Sequence, residues 1–124
     1  MSYMDFLKSK MVLAPETGFD IDESEINPAL LPHQRSAVKW AVKGGRRALF
    51  EAFGLGKTVQ ELEWSRIVTA HNGGTALIIM PLGVRQEFTH DAVELLGMEA
   101  PQYVRTAAEA QAAMKDGAIL ITNY

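Results

Sequence analysis

Two short runs, Thr75 to Met80 (TALIIM) and Ala118 to Thr122 (AILIT), show no alternation of apolar and polar residues. A strand with one wet face alternates, so an unbroken apolar run of this length predicts a strand covered on both faces, the habit of parallel sheets. Parallel neighbours cannot be joined by a tight turn and need a crossover, usually a helix. The remaining sequence supplies such helices. His33 to Lys43 places Ala37, Val38, Trp40 and Ala41 on one broad face before Gly44-Gly45 stops it, Lys57 to Ala70 repeats apolar residues at Val59, Leu62, Ile67 and Ala70, and Val84 to Leu96 runs up to Gly97. Further strands are predicted at Arg47 to Ala52 and Gln102 to Arg105, with a helix at Ala107 to Met114. Strands alternating with helices predict an α/β fold, a parallel sheet with helices on both faces and right-handed crossovers.

Composition sets the limits on function. Of 124 residues, 48% are hydrophobic and 22% charged, which predicts a folded chain of about one domain. The formal charge is -3, so any nucleic-acid contact must come from a local patch. The absence of cysteine excludes disulfides and thiolate metal sites, and His33, His71 and His90 have no metal-ligand spacing. No apolar run approaches the ~18 residues of a membrane helix, and the opening Met-Ser-Tyr-Met-Asp-Phe lacks the order of a secretion signal, so a cytoplasmic chain with no membrane partner is expected. Residues 1–27 differ from the rest: Pro15, Gly18 and the acids Asp20, Asp22, Glu23 and Glu25 interrupt any periodicity. They predict a solvated arm or linker, with a short helix near Asp5 to Met11, ahead of a domain at 28–124. The acidic stretch lacks the turn glycine and closing glutamate of a calcium loop.

The chemistry lies in Glu51-Ala52-Phe53-Gly54-Leu55-Gly56-Lys57-Thr58, between a predicted strand and a predicted helix. Two glycines let the chain turn tightly enough for successive backbone N–H groups to face inward, a nest for phosphate oxygens reinforced by the helix N-terminus. Lys57 would reach the terminal phosphates, and the Thr58 hydroxyl would be one ligand of a bridging magnesium ion. The general phosphate-loop pattern opens with glycine or alanine, whereas Glu51 stands there. Elsewhere, Lys39, Lys43, Arg46 and Arg47 read as helix-end cations that complement the dipole. Trp40 and Trp64 read as core or interface residues, the methionines as fillers, and Arg85 as a candidate for a DNA phosphate.

The stretch E-A-F-G-L-G-K-T-V-Q resembles motif I of the Swi/Snf-like branch of superfamily 2 DEAD/DEAH-type helicases, which commonly reads D-E-M-G-L-G-K-T-x-Q; Ala52 and Phe53 depart from it. Leu31-Pro32-His33-Gln34, followed by Val38-Lys39-Trp40, resembles that family's leading Q motif, whose glutamine reads the adenine edge through an amide that both donates and accepts. Leu77 to Val84, with Gln86 and Phe88, resembles motif Ia, and Ile119 to Tyr124 resembles the next strand, which ends T-x-Y. The resemblance spans about 28–124 and looks closest to small phage or prophage helicases.

It implies a P-loop NTPase (RecA-like) fold and the ATP-binding segment of an ATP-dependent DNA helicase or translocase. Its ligands would be ATP and Mg2+, and its partner double-stranded or junction DNA. ATP would be held by Gln34, Phe53, Gly54, Leu55, Gly56, Lys57, Thr58 and Val59, with Lys57 catalytic and Thr58 on magnesium, while Pro81, Gly83, Arg85 and Thr122 would touch the nucleic-acid backbone. The family hydrolyses ATP with an acid pair on a further strand, the Walker B strand, and arginines from a second RecA-like lobe. The sole Asp-Glu pair here, Asp22-Glu23, lies in the arm. The expectation is an incomplete lobe that binds nucleotide without hydrolysing it, one part of a longer enzyme. The alternative is a standalone nucleotide-binding or regulatory module. A small P-loop kinase would need an acceptor pocket and a lid, for which no segment suggests itself.

Overall fold

The computed structural model describes residues 2–10, 15–49 and 56–124. The chain is α/β. Its elements are α1 (Tyr3–Lys10), α2 (Pro32–Gly44), α3 (Lys57–Asn72), β1 (Ala76–Met80), α4 (Arg85–His90), β2 (Gln102–Tyr103), α5 (Ala107–Ala113) and β3 (Ile119–Asn123). The strands form an all-parallel sheet in the order β1-β3-β2, with Ala76 opposite Ile119, Met80 opposite Asn123 and Tyr103 opposite Ile121. Of the predicted strand at Arg47 to Ala52, residues 47–49 are irregular and the rest lie outside the described residues. Among the described residues no helix is long and apolar enough to cross a membrane.

Local chemistry sets the helix ends. Pro32 opens α2, where its missing N–H costs nothing, and Gly45 closes it at φ 79°. Gly73, at φ 72°, closes α3 and returns its N–H to the Thr69 carbonyl. The predicted helix from Val84 to Leu96 is three pieces: a 3-10 turn at Leu82–Val84, α4, and a π turn at Asp91–Leu95. The widened turn lets Ala92 and Leu96 both enter the core, and the Met98 N–H then caps the Ala92 carbonyl at 2.8 Å.

One core joins these elements. Leu62 and Ile67 of α3, Val38 and Val42 of α2, Phe88, Ala92 and Leu96 meet Met80 and Ile121 from the sheet. The opposite face is covered only at its centre: Leu120 is buried, but Leu77 and Ile79, on the edge strand β1, are 53% and 62% exposed. The expectation of two-sided burial for TALIIM is therefore overturned: on one face Met80 is buried and Ile78 partly buried, while Leu77 and Ile79 on the other are exposed. A strand at the sheet edge, with no neighbour on one side among the described residues, has nothing to shield its second face.

The predicted solvated arm is also corrected over its second half. Ile21 and Ile26 are core residues, 6% and 2% exposed, and full burial of such side chains contributes about 1.5–3 kcal/mol each. The segment lies against the end of α2, where the Thr17 and Phe19 N–H groups donate to the Gly44 and Val42 carbonyls at 3.1 and 3.2 Å. A Cβ on Gly18 would fall 1.7 Å from the Val42 carbonyl oxygen, so only glycine allows this approach. Asp22 caps a 3-10 turn at Glu23–Glu25. Beyond it, fully buried Glu63 of α3 accepts from the Asn27 backbone N–H and from Arg66 Nε and Nη2 at 2.5 and 3.0 Å, while Arg66 also donates to the Glu25 carbonyl at 2.7 Å. A buried carboxylate needs every such donor. His71 Nε2 lies 2.6 Å from Glu25 Oε1, and its ring packs 4.5 Å from that of Phe19.

Candidate functional site

Gly56 is the residue before α3, at φ 74° and ψ 43°, a left-handed conformation that glycine adopts without strain. Among the described residues no side chain caps the helix that follows. The first N–H groups of a helix have no partner within it, so the start of α3 presents donors and the positive end of sixteen residues of aligned peptide dipoles. Lys57 is exposed there, Thr58 half-buried and Val59 buried. Phe53, Gly54 and Leu55 lie outside the described residues.

Gln34 reaches this point from α2. It is 7% exposed, and its Oε1 accepts from the Leu31 N–H at 2.8 Å, which fixes the direction of the amide. Its Nε2 lies 2.3 Å from where a Cβ on Gly56 would stand. Two residues far apart in sequence therefore share one location, and the contact exists because residue 56 has no side chain. The residues described fit a bound phosphate chain: a Cβ-free bend, a helix start, an ammonium and a hydroxyl in successive positions. ATP would rest its phosphates on the start of α3, and magnesium could take the Thr58 hydroxyl as one oxygen ligand.

A groove of about 620 Å³ leads away from Lys57 along α3 to the open edge of β1, bordered by Gln60, Glu61, Trp64, Leu77 and Ile79. Partial desolvation pushes the Glu61 carboxyl above the usual carboxylate range, and the Lys57 charge pulls the other way. Trp64 packs partly against the core. Trp40, read from the sequence as core or interface, is half exposed, with the Arg47 guanidinium 4.9 Å above its ring.

The other predicted contacts gather at the C-terminal end of the sheet. Pro81 opens the 3-10 turn after β1, Gly83 lies in that turn and Arg85 begins α4; all three are exposed. Thr122, half-buried, pairs with Ile79 in the parallel register, one residue from where β1 gives way to Pro81. Sequence reasoning missed the neighbours of Arg85. Its guanidinium lies 4.0 Å from the centre of the Tyr103 ring, and the Tyr103 hydroxyl donates to Asn123 Oδ1. No local pattern signals this contact, because strand register creates it. Comparison with protein-family models, with curated proteins and with solved structures finds no match to this chain.

Proposed function

We propose that this chain is the ATP-binding part of the first, RecA-like motor lobe of a Swi/Snf-like superfamily 2 DNA helicase or translocase. The observation that carries the reading is the meeting of Gln34 with Gly56, which sets an adenine-type hydrogen-bonding amide beside a phosphate-type helix start. Either residue alone is ordinary. Together, with Lys57 and Thr58 next in the chain, they match the order in which a nucleotide presents its base and its phosphates. In this reading Lys57 neutralises the terminal phosphates, Thr58 ligates magnesium, and the turn from Pro81 to Arg85 with Thr122 follows the DNA backbone. The segment binds nucleotide, and the acid that orients the attacking water comes from a further strand of the motor.

Calorimetric titration of the chain with ATP and Mg2+, compared with Lys57→Ala, tests the reading. Loss of a charge-assisted contact predicts affinity weaker by about tenfold or more, with the helical circular dichroism unchanged. An unchanged affinity in the folded variant overturns it.

A further inference from the structure

The bond from the Leu31 N–H to Gln34 is a local cap: it orients the amide at the start of α2 but does not bring α2 to Gly56. A different set of contacts does that, and it centres on Asn27, the last residue of the segment that the sequence assigns to the arm. We propose that Asn27 and Arg35 are positioning residues for base recognition: they hold the start of α2 against α3, so that the Gln34 amide keeps one fixed direction and selects adenine over guanine. The inference rests on the nucleotide-binding reading and adds to it two residues outside the recognised motifs.

Three observations carry it. First, every polar group of Asn27 is engaged, and the bonds run to α2, to α3 and to the end of the helical segment after β1. Its backbone N–H donates to Glu63 of α3, and its Nδ2 donates to the Leu96 carbonyl at 2.9 Å. Its carbonyl accepts from the Leu30 N–H at 3.1 Å and from Arg35 Nη1 at 3.2 Å, and its Oδ1 accepts from the Ala29 N–H at 2.9 Å. Second, arginines from two helices grip the same turn. Arg35 of α2 also donates from Nη2 to the Glu23 carbonyl at 2.9 Å, and Arg66 of α3 donates from Nη2 to the Glu25 carbonyl at 2.7 Å. A guanidinium presents its donors in a rigid fork, so bonds to two carbonyls fix the helix that carries it in direction as well as distance. Third, the path ends at the amide. From Asn27 one turn leads to Leu31, whose N–H donates to Gln34 Oε1 at 2.8 Å, and Gln34 Nε2 lies 2.3 Å from where a Cβ on Gly56 would stand. A shift of Asn27 therefore displaces the donor that orients Gln34.

The direction of the amide is what discriminates between bases. Adenine offers an amino donor beside a ring-nitrogen acceptor, whereas guanine offers two acceptors in the corresponding places. An amide oxygen has two lone pairs, so the bond to Leu31 does not exhaust it. With its oxygen and nitrogen held on fixed sides, the amide matches the donor and acceptor of adenine and sets oxygen against oxygen with guanine. An amide released to turn over would donate to both bases, and the preference would fall.

Calorimetric titration of the full chain with ATP, GTP and tripolyphosphate, each with Mg2+, tests this. The wild type should prefer ATP to GTP by about tenfold or more, and Gln34→Ala should abolish the preference. Arg35→Ala removes both guanidinium bonds, and Asn27→Ala removes those of the side chain while keeping those of the backbone. Each should lose most of the preference, with ATP weaker by about fivefold and tripolyphosphate within about twofold of the wild type. Arg35→Lys keeps the charge and one bond, so it reports even where alanine fails to fold, and it should lose part of the preference. In the Gln34→Ala background Arg35→Ala should change no affinity further, because its effect passes through the amide. A wild-type ratio of ATP to GTP affinity in folded Arg35→Ala and Asn27→Ala overturns the inference, as does an equal fall for all three ligands, the mark of a network that only supports the fold. A wild-type chain that binds ATP without preference over GTP overturns the inference alone, whereas one that binds no ATP overturns the nucleotide reading and the inference with it.

Discussion

At Gly56 a single hydrogen atom decides whether two parts of the chain can meet. A methyl group there would have to hold φ 74°, at a cost of about 1–2 kcal/mol, and would press on the Gln34 amide nitrogen 2.3 Å away. Gln34 is flexible at its tip and would swing aside, breaking the alignment that its bond to the Leu31 N–H maintains. Gly56→Ala should therefore lower the melting temperature by several degrees and, on the proposed nucleotide-binding reading, weaken ATP binding beyond what that loss of stability explains. Gly83→Ala is the control, since nothing lies within 4 Å of its added Cβ and its ATP titration should be unchanged. Scanning calorimetry with ATP titration of both variants checks this. The glycine bend before a helix at Lys57 was legible beforehand, because glycine holds a left-handed conformation without strain. Tyr103 and Asn123 were not: the bond between them depends on which strand lies beside which, and neither residue carries that information alone.

At the scale of elements, the ends of α2 and α3 fell within about two residues of expectation because proline and glycine mark them chemically. The segment after β1 broke into three helix types because the core, not local preference, had to receive both Ala92 and Leu96. The packed half of the arm was hidden for a related reason: Ile21 and Ile26 stand alone among acids and show no period. That segment also contributes to the chain's acid sensitivity. Ser24 holds the Asp22 carboxyl below its usual range, first through its backbone N–H, and the bond to His71 followed by that from the Asp22 N–H does the same for Glu25. Carboxyls with lowered values in the folded chain stabilise it above their unfolded values, about 4 for these residues, and lose that contribution as pH falls through the folded ones. Urea midpoints measured from neutrality down to pH 3 should drop in this window. Glu25→Gln should begin with a lower midpoint at neutral pH and fall less steeply, and a parallel curve would show that Glu25 has no part in the acid response.

For the molecule as a whole, the open side of the sheet sets the expectation for self-association. Leu77 and Ile79 expose an apolar surface on a strand whose outer edge has no neighbouring strand among the described residues, a template for another strand. The chain should therefore associate with itself as concentration rises. A lysine on that face opposes such pairing, so Ile79→Lys should shift light scattering behind size exclusion toward the monomer while circular dichroism stays the same. Equal masses for the two proteins at every concentration would mean that the edge is guarded by some other means. Whole-molecule architecture was legible as a class, since strands alternating with helices admit few arrangements. The bare face of β1 was not, because an apolar run reports what a strand is suited to touch and says nothing of whether the partner is present.

The approach of Gly18 to the end of α2 bears on where this protein can be cut. The last carbonyls of that helix are served by N–H groups from Thr17 and Phe19, so the helix is finished by residues that precede it in the chain. A truncation placed just before Pro28, where the sequence alone suggests a domain begins, would leave the Val42 and Gly44 oxygens without those donors and strip Ile21 and Ile26 from the core. An expression boundary belongs ahead of Pro15, and an affinity tag fused closer than that would compete for the same helix end.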